Sequence, residues 1–302
     1  VKLSAIPLLG APTASGKSSL ALDLARELPI EVVTADAMQV YKGLDIGTAK
    51  PTPQERARVA HHLLDLVTPD EPFSVAQWVQ AAQEAVSAVL GRGRIPLVVG
   101  GTGFYLRALQ VGLPTVPAAD PALQEPIWRE FEEGGAEPLE DELAAASPED
   151  VARAQRNPRR LVRALEILRR TGRPPRDFPF TEPPFATSLA VLLPTMEELQ
   201  PRIEERAARM FEEGLVAEVR SLRSRYPNWA TATQAIGYKE VALALDGEID
   251  MAQARQRVVQ ATRSYAKRQL TWFGRQEAQL RRHSLAAPAR QAIEEWLLSL
   301  PE

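Results

Sequence analysis

Three short apolar runs stand out in the first third of the chain, Ala5–Leu9, Glu31–Ala35 and Ile95–Val99, each ending where polar or glycine residues begin. That pattern predicts buried strands, although Pro7 argues against a central place for the first, because it cannot donate to a ladder. Leu20, Leu24 and Leu28 recur every fourth residue and predict a helix over Ser18–Leu28, and Gln77–Leu90 predicts another that leads into the third strand. Strands alternating with helices imply a parallel sheet. A helical segment between Leu113 and Pro184 is bracketed by the proline-rich stretches Leu113–Pro121 and Arg173–Pro184, as expected of a domain inserted into the core. Beyond it, Leu189–Leu193 reads as a returning strand, Pro201–Tyr226 and Ile249–Gln276 as long helices, and Ile293–Leu300 as a terminal helix. The expected fold class is α/β: a parallel sheet with helices on both faces, formed by residues 1–114 and 185–302, with an all-helical insertion over 115–184.

Composition narrows this only modestly. The 302 residues are 45% apolar and 25% charged, enough for an ordinary core. No stretch approaches the ~20 apolar residues of a membrane span, so a cytoplasmic protein without membrane contact is expected. The absence of cysteine excludes disulfides, thiolate metal sites and a cysteine nucleophile. Charge adds more. The net charge is −3, yet Gln124–Asp150 is strongly acidic, whereas in Val151–Arg173 the residues Arg153, Arg156, Arg159, Arg160, Arg163, Arg169, Arg170 and Arg173 face a single acid, Glu166. A second run, with Arg255, Arg257, Arg263, Lys267, Arg268 and Arg275, has no acid between Ala252 and Arg275. Such runs are either solvated helix faces or a surface for a polyanion.

The chemistry is concentrated after the strands, at the ends where open parallel sheets bind ligands. After the first strand, Ala11-Pro12-Thr13-Ala14-Ser15-Gly16-Lys17-Ser18 closes a phosphate loop of the pattern G-x-x-x-x-G-K-[ST], with Ala11 in place of the first glycine. Backbone N–H groups can surround a phosphate, Lys17 can reach it and the Ser18 hydroxyl can ligate Mg²⁺, with a helix N-terminus behind them. Such loops are typical of ATP-binding and other nucleotide-binding proteins, but the chemistry does not select a nucleotide. Because alanine tolerates the left-handed region less well than glycine, Ala11 draws attention to the loop's first turn. After the second strand comes Asp36-Ala37-Met38-Gln39, whose acid could position Mg²⁺, take a proton or merely cap a turn. After the third comes Gly100-Gly101-Thr102-Gly103, which could admit a ligand to the backbone or make a tight strand-to-helix turn. His61 and His62 lack a third ligand pattern and are expected to serve local packing and hydrogen bonding.

Taken together, PTASGKS, DAMQVYKGLDIGTAKP, HHLLD, GGTGFYLRAL, NPRRLVRALEI, QAIGYKE and YAKRQLTWF, in that order from about Ala5 to Gln276, resemble the tRNA dimethylallyltransferase (tRNA isopentenyltransferase) family, in the form without a zinc finger. The resemblance implies a P-loop NTPase-like core and a prenyltransferase that moves the dimethylallyl group of dimethylallyl diphosphate to N6 of the adenine immediately 3′ of a tRNA anticodon. It implies that Ala11, Pro12, Thr13, Ala14, Ser15, Gly16, Lys17, Ser18 and Arg206 hold the diphosphate, with Mg²⁺ at Ser18. It also implies catalytic roles for Asp36, as the base, and for Thr13 and Lys17. tRNA contacts are implied at Asp36, Ala37, Met38, Gln39, Thr102, Gln124, Arg159, Arg160, Leu161, Val162 and Arg163. Lys267 and Arg268, with Gln269, are expected to meet phosphates of the anticodon stem-loop. The expected partner state is a monomer. Two other readings share parts of these motifs: a P-loop kinase or free-adenine-nucleotide prenyltransferase, and a non-catalytic RNA-binding protein. Neither gives a reason for the phosphate loop, Asp36 and the basic helices together.

Overall fold

A computed structural model describes residues 3–155, 157–227, 232–283 and 288–300; Arg156, one member of the first basic run, lies outside them. The chain divides into two compact units, Val1–Gln110 with Pro184–Glu302, and Val111–Pro183.

Among the described residues, the first unit holds a six-stranded parallel sheet in the order β3-β2-β4-β1-β5-β6, built from β1 (Ile6–Gly10), β2 (Ile30–Ala35), β3 (His61–His62), β4 (Ile95–Gly100), β5 (Thr187–Leu192) and β6 (Leu280–Arg282). The central strands are buried along their whole length because both faces are covered, and therefore read as continuous apolar runs without alternation. Alternation reappears in space. Leu8, Val33, Val98 and Leu189 pack on one face against Trp78, Leu106, Tyr238 and Phe273, while Leu9, Val32, Leu97 and Ala190 pack on the other against Ala21, Leu24, Ile293 and Trp296. The first face is covered by α3 (Val75–Gly91), α4 (Gly103–Val111), α10 (Leu215–Arg225), α11 (Tyr238–Leu245) and the end of α12 (Met251–Gly274). The second is covered by α1 (Lys17–Leu24) and α13 (Pro288–Leu298).

Pro7 does sit in an interior strand. The β1–β4 register begins at Leu8↔Val98, while Ile6 N–H bonds toward β5 through Ala186 O, so the donor missing at Pro7 falls before the β4 ladder starts. The stretch expected as one helix over Pro201–Tyr226 is two, α9 (Met196–Glu212) and α10, because Gly214 takes φ 108° between them. Reciprocal capping boxes fix the starts of α3 (Ser74 with Gln77), α9 (Thr195 with Glu198) and α12 (Asp250 with Gln253).

The second unit is all-helical: α5 (Pro121–Gly134), α6 (Glu137–Ala146), α7 (Pro148–Ala154) and α8 (Pro158–Thr171), around a core of Ile127, Leu139, Leu143, Leu161, Val162 and Leu165. Asn157 caps α8, Pro158 occupies its first position and Gly172 closes it with φ 70°. The remaining helix, α2 (Pro53–Arg58), is a short element of the first unit ahead of β3.

Candidate active site

At the carboxyl ends of the strands the first unit contains a cavity of about 440 Å³, lined among others by Thr13, Lys17, Ser18, Asp36, Ala37, Met38, Gln39, Thr102, Arg206, Tyr265, Arg268 and Gln269. Residues from every segment of that unit singled out as reactive meet here. The phosphate loop joins β1 to α1, with left-handed backbone at Ala14 (φ 61°) and Gly16 (φ 81°). Ala11 is buried and does not take positive φ, so alanine at that position costs the loop nothing; the strained alanine is Ala14. Ala11, Pro12, Ala14, Ser15 and Gly16 shape the loop without lining the cavity, while Ser18 stands exposed in the first turn of α1.

Two side chains from far along the chain hold this loop in shape. Gln269 of α12 accepts from Thr13 N–H at 2.8 Å and donates through Nε2 to Gly101 O at 2.8 Å, tying the phosphate loop to the turn after β4. Arg206 of α9 donates to Thr13 Oγ1 at 3.1 Å. Gln269 is buried and both ends of its amide are engaged, so the expectation that it meets an RNA phosphate is corrected. The glycines after β4 likewise serve packing. A side-chain carbon at Gly100, the last residue of β4, would collide with Ala35 of β2, and one at Gly101 or Gly103 with Gln269 or Trp272 of α12, so β2 and α12 are what approach closely.

Asp36 uses one carboxylate oxygen locally. Oδ1 accepts from Met38 N–H at 2.8 Å and Gln39 N–H at 3.3 Å, the turn-capping role, and among the described residues no hydrogen bond occupies Oδ2. Ala37 N–H donates to Thr102 Oγ1 at 3.1 Å, which fixes the turn, and the Thr102 hydroxyl is in turn hydrogen-bonded to Tyr265. Burial pushes the Tyr265 phenol's pKa up, and the Asp36 charge adds to the shift, so the phenol is neutral.

The electrostatics of the wall are lopsided. Burial, reinforced by the Arg206 charge, brings Lys17 down to about 8 despite Asp36. Burial likewise lowers Arg206 against the pull of Asp36. Among the described residues neither cation is ion-paired to a carboxylate. Enclosed cations without an anion in contact are costly, and a bound anion supplies what is missing. Arg268 lies with its guanidinium 5.7 Å from the Tyr265 ring centroid.

The other motifs build the walls. Lys50 is buried and bonded to Tyr41 O at 2.6 Å, Asp45 at 2.8 Å and Asp65 at 2.6 Å. Glu218 accepts from the backbone of Asp45, Ile46 and Gly47, and Tyr238 also reaches Gly47 N–H. His61 bonds Val59 O and His62 bonds Glu31, as expected of histidines serving local structure.

In the second unit, Arg159 and Arg160 are exposed, but several other expected RNA contacts are taken by the protein itself. Leu161 and Val162 lie in the helical core, 2% and 1% exposed. Arg163 Nη1 lies 2.6 Å from Glu166 Oε2, and Gln124 Nε2 donates to the same carboxylate at 2.6 Å, with Asp120 N–H on its other oxygen at 2.8 Å. Burial alone would raise Glu166, but these three donors together hold its carboxyl below the usual range. Lys267 of the first unit is exposed and outside the cavity wall.

Comparison with known proteins agrees with this arrangement. The chain matches the family model described as IPP transferase over residues 39–276 and the model described as Isopentenyl transferase over residues 4–67. It is 57% identical to the tRNA dimethylallyltransferase of Thermus thermophilus over 271 residues, covering 90% of each chain, and 48% identical to that of Deinococcus radiodurans over 275 residues, again 90% of each. Among solved structures it resembles the full-length tRNA isopentenylpyrophosphate transferase of Bacillus halodurans (TM-score 0.72, 34% identity, 98% of this chain and 96% of that one). It also resembles a eukaryotic dimethylallyltransferase acting on tRNA (TM-score 0.77, 26% identity, 99% and 80%). Among the described residues no helix is long and apolar enough to cross a membrane.

Proposed function

The chain belongs to the IPP transferase family of tRNA dimethylallyltransferases, and from that premise we propose that it transfers a dimethylallyl group from dimethylallyl diphosphate to N6 of the adenine immediately 3′ of a tRNA anticodon. The observation that carries this reading is the pair of cations in the cavity wall, Lys17 and Arg206, neither ion-paired to a carboxylate among the described residues and both facing Asp36 across one cavity. An anion belongs beside the first two, and a group that gives up a proton belongs beside the third.

In the transfer, the N6 lone pair forms a bond to C1 of the dimethylallyl group while the C1–O bond breaks and its electron pair leaves with the diphosphate. The N6 proton passes to the free Oδ2 of Asp36. Lys17, the loop N–H groups and Arg206 hold the charge that develops on the leaving group. Arg206 also donates to Thr13 Oγ1, so the hydroxyl's own proton is free to point toward the diphosphate. A neutral amino group is a weak nucleophile, and holding it in line with C1 contributes as much as removing its proton. The base must leave the anticodon stack to enter the cavity, where Met38, Gln39 and Thr102 line the wall.

Mg²⁺ fits this site as a metal carried with the substrate. Among the described residues no group of three or more His, Asp or Glu could hold an ion, and Mg²⁺ is commonly bound by one or two protein oxygens plus substrate phosphates and water. The Ser18 hydroxyl and the diphosphate would hold it, where it would neutralise phosphate charge. Of the basic residues expected at tRNA, Arg159, Arg160, Lys267 and Arg268 stay open to its phosphates.

Incubating the purified protein with tRNA, dimethylallyl diphosphate and Mg²⁺, then analysing the nucleosides by mass, tests the reading. An adenosine heavier by one dimethylallyl group beside the anticodon is expected. Modification of free AMP but not tRNA, or tRNA-stimulated ATP hydrolysis without transfer, would overturn it.

A further inference from the structure

Tyr265 has no part in the transfer as described, yet its hydroxyl lies in the wall of the same cavity, linked to the turn that carries Asp36. The link runs from Ala37 N–H to Thr102 Oγ1 and from the Thr102 hydroxyl to Tyr265. Ala37 N–H takes one of the two lone pairs of Thr102 Oγ1; with the Thr102 proton turned to the phenol oxygen, as the lowering effect of that bond on the phenol's pKa has it, the phenol proton is left to be donated elsewhere. Burial and the Asp36 charge keep that phenol protonated, and Arg268 over the ring restricts where the side chain can swing. The cavity therefore offers an acceptor, Asp36 Oδ2, and a neutral donor, Tyr265 Oη, on one connected stretch of wall.

Adenine presents the complementary pair. Its N6 amino group is a donor flanked by acceptor ring nitrogens, N7 on one side and N1 on the other, whereas guanine and inosine carry an acceptor oxygen at the same place. Lys17 and Arg206 could also donate, but they stand at the loop, where the diphosphate takes their charge. On the reading of the protein as a tRNA prenyltransferase, we propose that Tyr265 is a specificity-determining residue: its hydroxyl donates to the ring nitrogen beside N6 while Asp36 receives the N6 hydrogen. A base with a carbonyl at that position would set oxygen against carboxylate and leave the phenol unmatched, and that mismatch rejects it.

The test uses three anticodon stem-loop RNAs carrying adenosine, 1-deazaadenosine or 7-deazaadenosine at the target position, with the full-length protein and its Tyr265→Phe variant. Single-turnover kcat/KM for transfer is read for each pair, together with affinity for dimethylallyl diphosphate and thermal melting. The unaltered protein should lose about tenfold or more on one deaza analogue and little on the other, which identifies the nitrogen. Tyr265→Phe should lose a similar factor on adenosine and nothing further on that analogue, with diphosphate affinity within twofold. An equal loss on all three RNAs would place Tyr265 behind Thr102 as a structural prop and overturn the proposal, as would no loss at all. Should the variant fail to fold, equal rates of the unaltered protein on all three RNAs would still overturn it, and a loss confined to one analogue would support it. Absence of any transfer to adenosine by the unaltered protein would instead overturn the reading beneath it.

Discussion

Lys17 and Arg206 at the phosphate loop, and Arg163 and Arg169 in α8, are all cations drawn partly out of water, but the two units treat them in opposite ways. In α8 these two charges are answered by the protein. Arg163 meets the buried Glu166, and Arg169 bonds Glu130 and Glu142 together at 2.6–2.9 Å. Arg153 lies near Asp150, and Arg176 pairs with Glu149. Arg153 and Arg169 of the basic run thus find partners in the acidic run before it, and Arg163 finds one inside its own helix. At the phosphate loop the positive charge is left open, and the cost of enclosing it is carried until an anion arrives. A count of arginines therefore says little about what binds. What matters is whether a carboxylate has already claimed them.

The largest effect expected from breaking this contrast is at Asp36, the acid whose charge acts on both open cations. Asp36→Asn keeps the turn through Oδ1 but cannot take a proton, and single-turnover transfer should fall by about 10²–10⁴-fold while tRNA affinity holds. A loss under about fivefold would reduce Asp36 to a turn cap.

Next comes the closed side. Glu166→Ala strands Arg163, Gln124 and Asp120 N–H at once, and urea unfolding should show about 3 kcal/mol of lost stability, with diphosphate affinity unchanged because that site is built in the other unit. Equal stability would mean the carboxylate is dispensable to the helical unit.

A smaller effect, about tenfold per pH unit, is expected of Lys17. Its pKa of about 8 lies below the ordinary value of 10.5, so above pH 8 the free protein loses the proton that diphosphate binding needs. Affinity for dimethylallyl diphosphate should weaken as pH rises beyond 8. The unfolded chain keeps that proton up to about 10.5, so the stability of the unliganded fold is lowered below pH 8 and relieved between 8 and 10.5. Lys17→Met should abolish both trends; a variant that retains them would assign the titration to another group.

The smallest effect separates two neighbours in α8. Arg160 is exposed, its side chain bonded among the described residues to Arg153 O and Gln155 Oε1 at 3.3 Å, and its replacement by Ala should flatten the log–log salt dependence of tRNA binding by about 0.7–0.9 without changing the melting temperature. Arg163→Ala should do the reverse. Identical behaviour of the two variants would erase the distinction drawn above.

How far the sequence revealed this depends on the kind of feature. Strands β1, β2, β4 and β5 were legible because burial on both faces leaves unbroken apolar runs, and the phosphate loop was legible because its chemistry is contiguous. The edge strands β3 and β6, of two and three residues, carry polar side chains and no periodicity to read. The break at Gly214 carried a signal, a glycine within a helical pattern, that amphipathic continuity on either side masked. Gln269 was misread because its neighbours Lys267 and Arg268 are charged; its bond to Thr13 spans 256 positions and leaves no mark in spacing. Glu166 could have been found: a lone acid three residues after an arginine, inside a run of arginines, is a candidate for a buried counter-charge.

The Gln269 tie also bears on when the site can exist. The phosphate-loop motif is complete as soon as Ser18 is made, but the amide that holds Thr13 is encoded 256 residues after it. At ordinary rates of synthesis, about 5–20 residues per second, the growing chain carries an unfastened loop for roughly 13 to 50 s. A product truncated anywhere before α12 would keep the loop sequence intact and still lack its fastening. Catalytic competence in this protein waits on the synthesis of α12.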